Sequence, residues 1–375
     1  MIASTVAAFT ALSYAELSSM FPISAAEYEY VKNAMGEKIG FVIGWIIIFS
    51  AIISSSTVAL GFGNYLGTIF SVPAIYSAVG LIILLSSIIF IGIKQSAWVA
   101  IIFTSIEALG LLIIFFIGIP YYGSVNYFEM PLGLNGIFAS AALIFFAYLG
   151  FEEIVKLSDE TIEPNKNIPR AIILAMVIST VLYILVAFSS VSILGWEALA
   201  SSSAPFSKIA FTALGPNGAL LLSIIALFAT SNTVLLLLLA GSRIVYGMAA
   251  SNSLPIILRK VHPRTRTPWI SIIIVGIVEI AFLFLGNLEF LASATNYTLF
   301  LSFIFINASV VILRYTSPQL DRPFKIPLNV KNLPLLPIFG VITCIMLLLQ
   351  LSFNAIGLGI VITIIGIILA FLNRK

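Results

Sequence analysis

The sequence predicts an all-α polytopic membrane protein, and its composition, its apolar runs and its charge distribution each support that class. Of the 375 residues, 61% are hydrophobic and only 9% are charged, and the mean hydropathy is +1.15. Soluble domains carry about 25% charged residues, so this chain has too few charges to cover a soluble surface. The net charge of +3 is small and gives no reason to expect a nucleic-acid partner.

Eleven apolar stretches approach or exceed the length of about 20 residues that a helix needs to cross the bilayer. They are 2–20, 39–64, 74–93, 97–119, 135–152, 170–194, 217–247, 268–286, 290–313, 333–350 and 353–372. We therefore expect one transmembrane domain that covers residues 1–375.

The positions of the basic residues test this arrangement, because cytoplasmic loops are enriched in Lys and Arg. When alternate loops are assigned to the cytoplasm, all 18 Lys and Arg residues except Lys208 fall on that side. The C-terminus is then cytoplasmic, and an odd number of spans places Met1 outside. Two explanations are open: a further span that precedes Met1, which is the simpler one, or eleven spans inserted with the N-terminus out.

The stretch from Leu134 to Arg170 carries the main candidate site. An apolar helix runs to Tyr148 and is followed by a Gly150-Phe151-Glu152 sequence, where glycine costs a helix about 1 kcal/mol relative to alanine. Interrupted helices at membrane depth line cavities or are packed by protein, and in transporters their freed backbone groups bind the charges of a substrate. The alternative is a helix that ends at the cytoplasmic surface, with Glu152 in water.

Glu107 lies in the middle of the 97–119 span. A charged carboxylate at that depth is costly, and ionisable residues there are usually functional. One interpretation is a proton carrier; the other is a neutral structural glutamate bonded to a neighbouring serine or carbonyl oxygen.

Thr230 and Ser231 lie inside the 217–247 span and offer hydroxyl oxygens, which hard cations such as Na⁺ prefer. The alternative is that each hydroxyl bonds the carbonyl oxygen four residues back in its own helix. Asn296, in the 290–313 span, is a weaker candidate for lining a cavity.

Residue types that metal sites and enzymes need are nearly absent. Cys344 is the only cysteine and His262 the only histidine, which excludes a disulfide framework and a Cys/His metal cluster. The two aspartates, Asp159 and Asp321, lie in loops, so an intramembrane enzyme would lack a nucleophile–base pair. We expect no cofactor, no metal site and no enzymatic activity. The basic loop 259–266 is expected to contact anionic lipid.

Several segments, in an order that covers essentially the whole chain, resemble the amino acid–polyamine–organocation superfamily of permeases. They are Tyr14-Ala15-Glu16-Leu17 with Phe21-Pro22, then Gly40 to Trp45, then Phe145 to Glu152 with Asn165 to Arg170, and finally Ser242 to Ala249 with Val261 to Arg264. Each segment alone is a weak signal, and their order and spacing together are specific.

The resemblance implies an inverted five-helix-repeat transporter fold of twelve helices, of which helices two to twelve are present here. Residues 1–119 would form an incomplete first repeat, 135–313 the second repeat, and 333–372 two peripheral helices. The family's first helix, with its Gly-rich unwound centre, has no counterpart. Because that helix supplies half of the substrate's backbone contacts, the alternative function is a truncated or decayed permease with a sensor role or no transport role.

The resemblance also implies secondary active transport of amino acids or related amines across the cell membrane, driven by protons, sodium or exchange. The substrate would be a small molecule bound at Phe146, Ala147, Tyr148, Leu149, Gly150 and Phe151. Either Tyr148 or Phe151 would serve as an aromatic gate over it.

Coupling and gating residues are assigned from their positions in the spans and, for Thr230 and Ser231, also from the resemblance. Glu107, Thr230 and Ser231 are the predicted coupling residues. Glu16 and Glu152 are the predicted gating residues, with Glu16 paired to a basic residue such as Arg243 or Lys32. Glu279 would lie on the ninth helix, which is peripheral to the substrate path, and is expected to be structural.

Overall fold

The computed structural model describes residues 1–23 and 26–372, without the side chains of residues 93–97 and 159–160. Predictions that fall on Ser24, Ala25, the Asp159 side chain or the basic tail Arg374-Lys375 lie outside the described residues. Helices make up most of the chain, and a short antiparallel pair of strands, β1 (Asn329–Val330) and β2 (Leu333–Pro334), accompanies them.

The α-helices are labelled in chain order. They are α1 (Ile2–Met20), α2 (Ala26–Met35), α3 (Glu37–Phe70), α4 (Ala74–Ile91), α5 (Ile93–Gly118), α6 (Gly133–Ile144), α7 (Pro164–Leu194), α8 (Trp196–Ala200), α9 (Pro205–Ala250), α10 (Trp269–Phe282), α11 (Leu288–Thr316), α12 (Leu335–Leu348) and α13 (Phe353–Leu372). The 3₁₀ segments are Ile119–Tyr121, Phe145–Tyr148, Phe151–Glu160 and Ile256–Arg259.

Membrane-spanning character follows from helix length and composition. Within the described chain, eight helical stretches are long and apolar enough to cross a membrane, and α10 and α12 are shorter apolar helices. Each predicted span overlaps an α-helix, which confirms the all-α polytopic class, although α1, over the predicted span 2–20, is not among these ten helices. The number of crossings and the inverted repeat stay predictions.

Helix α3 occupies the centre of the molecule. It packs against α9, α11, α4, α2 and α13, and it contributes to two hydrophobic clusters. One cluster joins it to α1, α6, α11 and α12, and the other joins it to α4, α9, α10 and α13. Because α3 contributes to both clusters, it joins the two halves of the hydrophobic core.

Helix α9 begins earlier than predicted. The sequence predicts a span from 217, whereas the helix starts at Pro205 and bends at Gly215, where φ is 76° and ψ is −165°. Glycine adopts such a positive φ without the steric cost of a Cβ atom, and Pro216 follows it. The non-helical Gly215 therefore divides α9 into two helical parts at a kink, and the second part begins where the sequence predicts the span.

Two segments expected to be loops are helical. Residues 21–38 contain α2, and the charged segment after Gly150 continues as a 3₁₀ helix to Glu160. Both segments bury apolar side chains, Val31 in α2 and Val155 in the 3₁₀ helix. The sequence does not indicate this packing, because segments rich in Lys and Glu are usually exposed to solvent.

Candidate functional site

The helix that follows residue 133 is interrupted where the sequence predicts. Helix α6 ends at Ile144, the 3₁₀ turn Phe145–Tyr148 follows, Leu149 is non-helical with a ψ of 135°, and Gly150 has a φ of 119°. A new 3₁₀ segment begins at Phe151. Only glycine adopts that φ readily, so Gly150 is the residue that permits the interruption.

Asn296 of α11 holds the end of α6. Its Nδ2 donates to the carbonyl oxygens of Ala142 and Leu143, at 2.7 Å and 3.0 Å. The last carbonyls of a helix lack partners within the helix, and here a buried amide from another span supplies one. The sequence makes Asn296 only a weak candidate for lining a cavity; the structure gives it a positioning role at the interruption.

A cavity of about 380 Å³ lies between the interruption, α5 and α9. Its polar and charged lining residues are Thr104, Glu107, Glu153, Lys156, Asn232, Thr233 and Arg243. Leu149 and Gly150 contribute the interrupted backbone, and leucines of α9 supply much of the apolar wall. Of the predicted site residues, Leu149, Gly150 and Glu107 are therefore brought together.

Polar side chains of α5 and α9 contact one another in the cavity lining. The Nδ2 of Asn232 donates to the Oγ1 of Thr104 at 2.9 Å, and the Asn232 amide lies beside the Glu107 carboxyl group. The Oδ1 of Asn232 has no hydrogen-bond partner among the described residues. The Glu107 carboxyl and the Asn232 amide oxygen are thus two acceptors on neighbouring residues of the cavity lining.

A second group of lining residues consists of buried charges. The ammonium of Lys156, only 6% exposed, contacts the Oε1 of Glu153 at 2.5 Å and the Oε1 of Glu27 at 3.9 Å. Burial raises the pKa of the Glu27 carboxyl, and the Lys156 charge acts against that rise. The charge distribution assigns Lys156 to a cytoplasmic loop, which stays a prediction, and the structure shows that the 3₁₀ segment buries this side chain.

The remaining residues of the predicted substrate segment lie beside the cavity rather than on it. Phe146, Ala147, Tyr148 and Phe151 are absent from its described lining. The ring of Tyr148 lies 5.4 Å from that of Tyr183, and Phe151 packs among aromatic rings of α1 and α11. The two gate candidates therefore differ: Tyr148 faces α7 and Phe151 belongs to the core.

Glu152 does not lie in water as a simple helix end would require. It is 4% exposed, and its Oε2 accepts a hydrogen bond of 2.9 Å from the Gly150 N–H. A carboxylate that accepts the first free N–H of a new helical turn stabilises that turn. Its gating role stays a prediction.

The hydroxyls of Thr230 and Ser231 bond carbonyl oxygens of their own helix, as in the alternative given in the sequence analysis. Their hydroxyls donate to the carbonyl oxygens of Ala226 and Leu227, at 2.7 Å and 2.6 Å, and neither residue lines the cavity. A coupling role for them stays a prediction. Across the described residues, no group of three or more His, Cys, Asp or Glu side chains could hold a metal ion.

Glu16 pairs with a different residue from the ones we expected. Its carboxylate accepts from the Nε and Nη2 of Arg314, at 2.9 Å and 2.5 Å, and from the Ile326 N–H at 2.8 Å. The prediction of Arg243 or Lys32 as the partner is wrong. The sequence pattern places Arg314 in a loop, but it lies in the last turn of α11, and the 314–332 segment folds back over it.

The sequence carries a signal for some of the missed cavity residues. Thr104 lies three residues before Glu107, and this spacing places both on one helix face. Asn232 and Thr233 directly follow Ser231. For Glu153 and Lys156 no local signal exists, because their contacts depend on α2 and on the interruption.

Comparison with known proteins gives a consistent result. A family model described as amino acid permease matches residues 1–372. The branched-chain amino acid permease of Bacillus subtilis is 28% identical over 100% of this chain and 84% of its own length. The methylthioribose transporter of the same organism is 30% identical over 100% of this chain and 85% of its own length. A vacuolar cationic amino acid transporter of Arabidopsis thaliana is 29% identical over 85% of this chain and 57% of its own length.

Proposed function

This chain belongs to the amino acid permease family of the amino acid–polyamine–organocation superfamily and is a multi-pass membrane transporter of amino acids, and we propose that it works as a proton-coupled secondary active permease of the cell membrane with a cytoplasmic C-terminus. The observation that carries this proposal is the cavity at the interrupted helix. Its volume of about 380 Å³ is within the range of small-molecule sites, roughly 300–1,000 Å³.

The cavity lining carries groups for both charges of an amino acid. The ammonium group binds at the Glu107 carboxyl, the free Oδ1 of Asn232 and the freed backbone near Leu149. The carboxylate binds at the basic lining residues, Lys156 and Arg243. Opposite charges in a poorly hydrated cavity attract more strongly than in water, and the substrate carboxylate shares Lys156 with Glu153, which lines the same cavity.

Glu107 is the proton carrier in this proposal. It lines the same cavity as the substrate, so the presence of the ammonium group changes the free energy of ionising the carboxyl. Thr230 and Ser231 do not line this cavity, whereas Glu107 does, so Glu107 is the predicted coupling residue that shares a cavity with the substrate.

The relatives' names differ in substrate, from branched-chain to cationic amino acids. The test is therefore uptake of a panel of radiolabelled amino acids into proteoliposomes, with and without an imposed pH gradient. We expect at least one amino acid to accumulate and the gradient to change its accumulation. Binding without uptake would favour the sensor alternative, and neither binding nor uptake of any amino acid or amine would contradict the proposal.

A further inference from the structure

Glu279 is a carboxyl group that the proposed transport site does not use. It lies in α10 with an exposed fraction of 0%, and neither of its oxygens has a hydrogen-bond partner among the described residues. Ionising a carboxyl in such a place costs several kcal/mol without a compensating partner. The group therefore carries a proton in this conformation.

The hydroxyls nearest to Glu279 belong to α3. The Ser55 side chain lies beside the carboxyl group, and the Oγ of Ser56 donates to the Glu279 carbonyl oxygen at 2.9 Å. The hydroxyls of Ser54 and Ser55 are buried and have no partner in the described structure. Buried hydroxyls of this kind usually hold ordered water in folded proteins.

Helix α3 also carries a serine near the charged residues that line the substrate cavity. Ser50, one turn before Ser54, is also buried without a partner in the described part of the chain, and four residues of helix rise about 6 Å, a gap that one water molecule bridges. Ser50 lies against a small cavity of about 10 Å³ that Glu27, Glu152, Glu153 and Lys156 also line. Glu153 and Lys156 line the substrate cavity as well.

We propose that Glu279 is a proton-binding site joined to the substrate cavity by the hydroxyls of Ser55, Ser54 and Ser50. Each hydroxyl or intervening water accepts a proton on its oxygen and releases its own, so one proton leaves the Glu279 carboxyl and one reaches the Glu152 or Glu153 carboxylate. No other bond changes. The inference rests on the proposed proton-coupled transport and adds a second proton site to Glu107.

Among the described residues, no charged side chain on the elements that pack against α10 pairs with the Glu279 carboxyl. Helix α10 packs against α3, α4, α9 and the 3₁₀ turn Ile256–Arg259. The charged and titratable residues of those elements are Glu37, Lys38, Tyr65, Tyr76, Lys208, Arg243, Tyr246 and Arg259. None of these described side chains is within hydrogen-bond distance of the Glu279 oxygens.

The test compares the wild-type protein with Glu279→Gln, which keeps the size and the neutral charge of a protonated glutamate but cannot release a proton. Proteoliposomes report exchange of external for internal amino acid and, separately, accumulation driven by a pH gradient. We expect Glu279→Gln to keep exchange and to lose the accumulation. Glu289→Gln, at an exposed position on α11, is the matched control and should keep both.

Infrared difference spectra with and without substrate give a second readout that does not depend on vesicles. The wild-type protein and Glu289→Gln should show a change in the carbonyl band of a protonated carboxyl group, and Glu279→Gln should lose a component of it. Wild-type accumulation by Glu279→Gln, or an unchanged band, would overturn the inference and leave the proposed function standing. If Glu279→Gln loses exchange as well, loss of a component of the carboxyl band supports the inference, and an unchanged band contradicts it. If the wild-type protein transports nothing, the inference falls with the proposed function.

Discussion

Glu16 joins three parts of the chain through one buried carboxylate. Arg314 ends α11, Arg322 approaches the same carboxylate at 3.6 Å, and Ile326 donates its N–H to it. Removal of one member of a buried ion pair leaves the other charge uncompensated, which costs about 3–5 kcal/mol. We therefore expect Glu16→Gln to lower the free energy of unfolding in detergent by about that amount.

The control for Glu16 is a pair of the same kind at the surface. Lys32 and Glu29 form an ion pair with partly exposed side chains, and such pairs contribute about 0–1 kcal/mol. Denaturant unfolding of Glu29→Gln should differ little from that of the wild-type protein. Equal losses in the two variants would show that burial does not set the energy of the Glu16 pair.

Glu27 gives a pH-dependent prediction. Burial raises the pKa of its carboxyl, so the folded chain binds this proton more tightly than the unfolded chain does. Its contribution to stability is then present at low pH and is lost as the pH rises through the raised pKa. We expect thermal unfolding of the wild-type protein to show this loss and that of Glu27→Gln to lack it. A difference between the two proteins that does not vary with pH would contradict the assignment.

The interrupted helix is the element on which the site depends. At Gly150, φ is 119° and no atom lies within 4 Å of the position that a Cβ atom would occupy, so a substitution meets strain from the backbone rather than a clash. A non-glycine residue in such a conformation costs about 1–3 kcal/mol. We expect Gly150→Ala to be destabilised by that amount and to reduce uptake strongly.

A second glycine provides the control for Gly150. Gly247 lies inside α9, also has no atom within 4 Å of the position of an added Cβ, and has no positive φ. Alanine at such a position stabilises a helix by about 0.4–1 kcal/mol. If Gly150→Ala is as stable as Gly247→Ala in unfolding measurements and takes up substrate equally well, the interrupted helix does not need the positive φ of Gly150.

Local patterns predict the elements better than the contacts between them. The interruption follows from a glycine and two glutamates at the end of an apolar run, and the spans follow from length and apolarity. The Lys156 contact with Glu27 and the Arg314 contact with Glu16 join distant segments. Both basic residues have the same sequence signature as a solvated cytoplasmic charge, so only folding distinguishes them.

At the scale of the whole molecule, the substrate cavity and the buried charges form one connected polar region within an apolar bundle. Glu153 and Lys156 line the substrate cavity on one side and the small cavity next to Glu27 on the other. Movement of the 3₁₀ segment Phe151–Glu160 would therefore change both at once. In the proposed function, this segment therefore links substrate binding to the contacts with α2.

The claim that an amino acid binds at the interrupted helix is tested most directly by protection of a cysteine in the cavity. Cys344 is buried, so a Thr233→Cys variant places the accessible thiol in the cavity wall, and Thr212→Cys places one at an exposed position on the same helix. A transported amino acid should slow the reaction of a thiol reagent with Thr233→Cys and leave Thr212→Cys unchanged. Equal reaction rates at Thr233→Cys with and without that amino acid, in a variant that still transports it, would contradict the account.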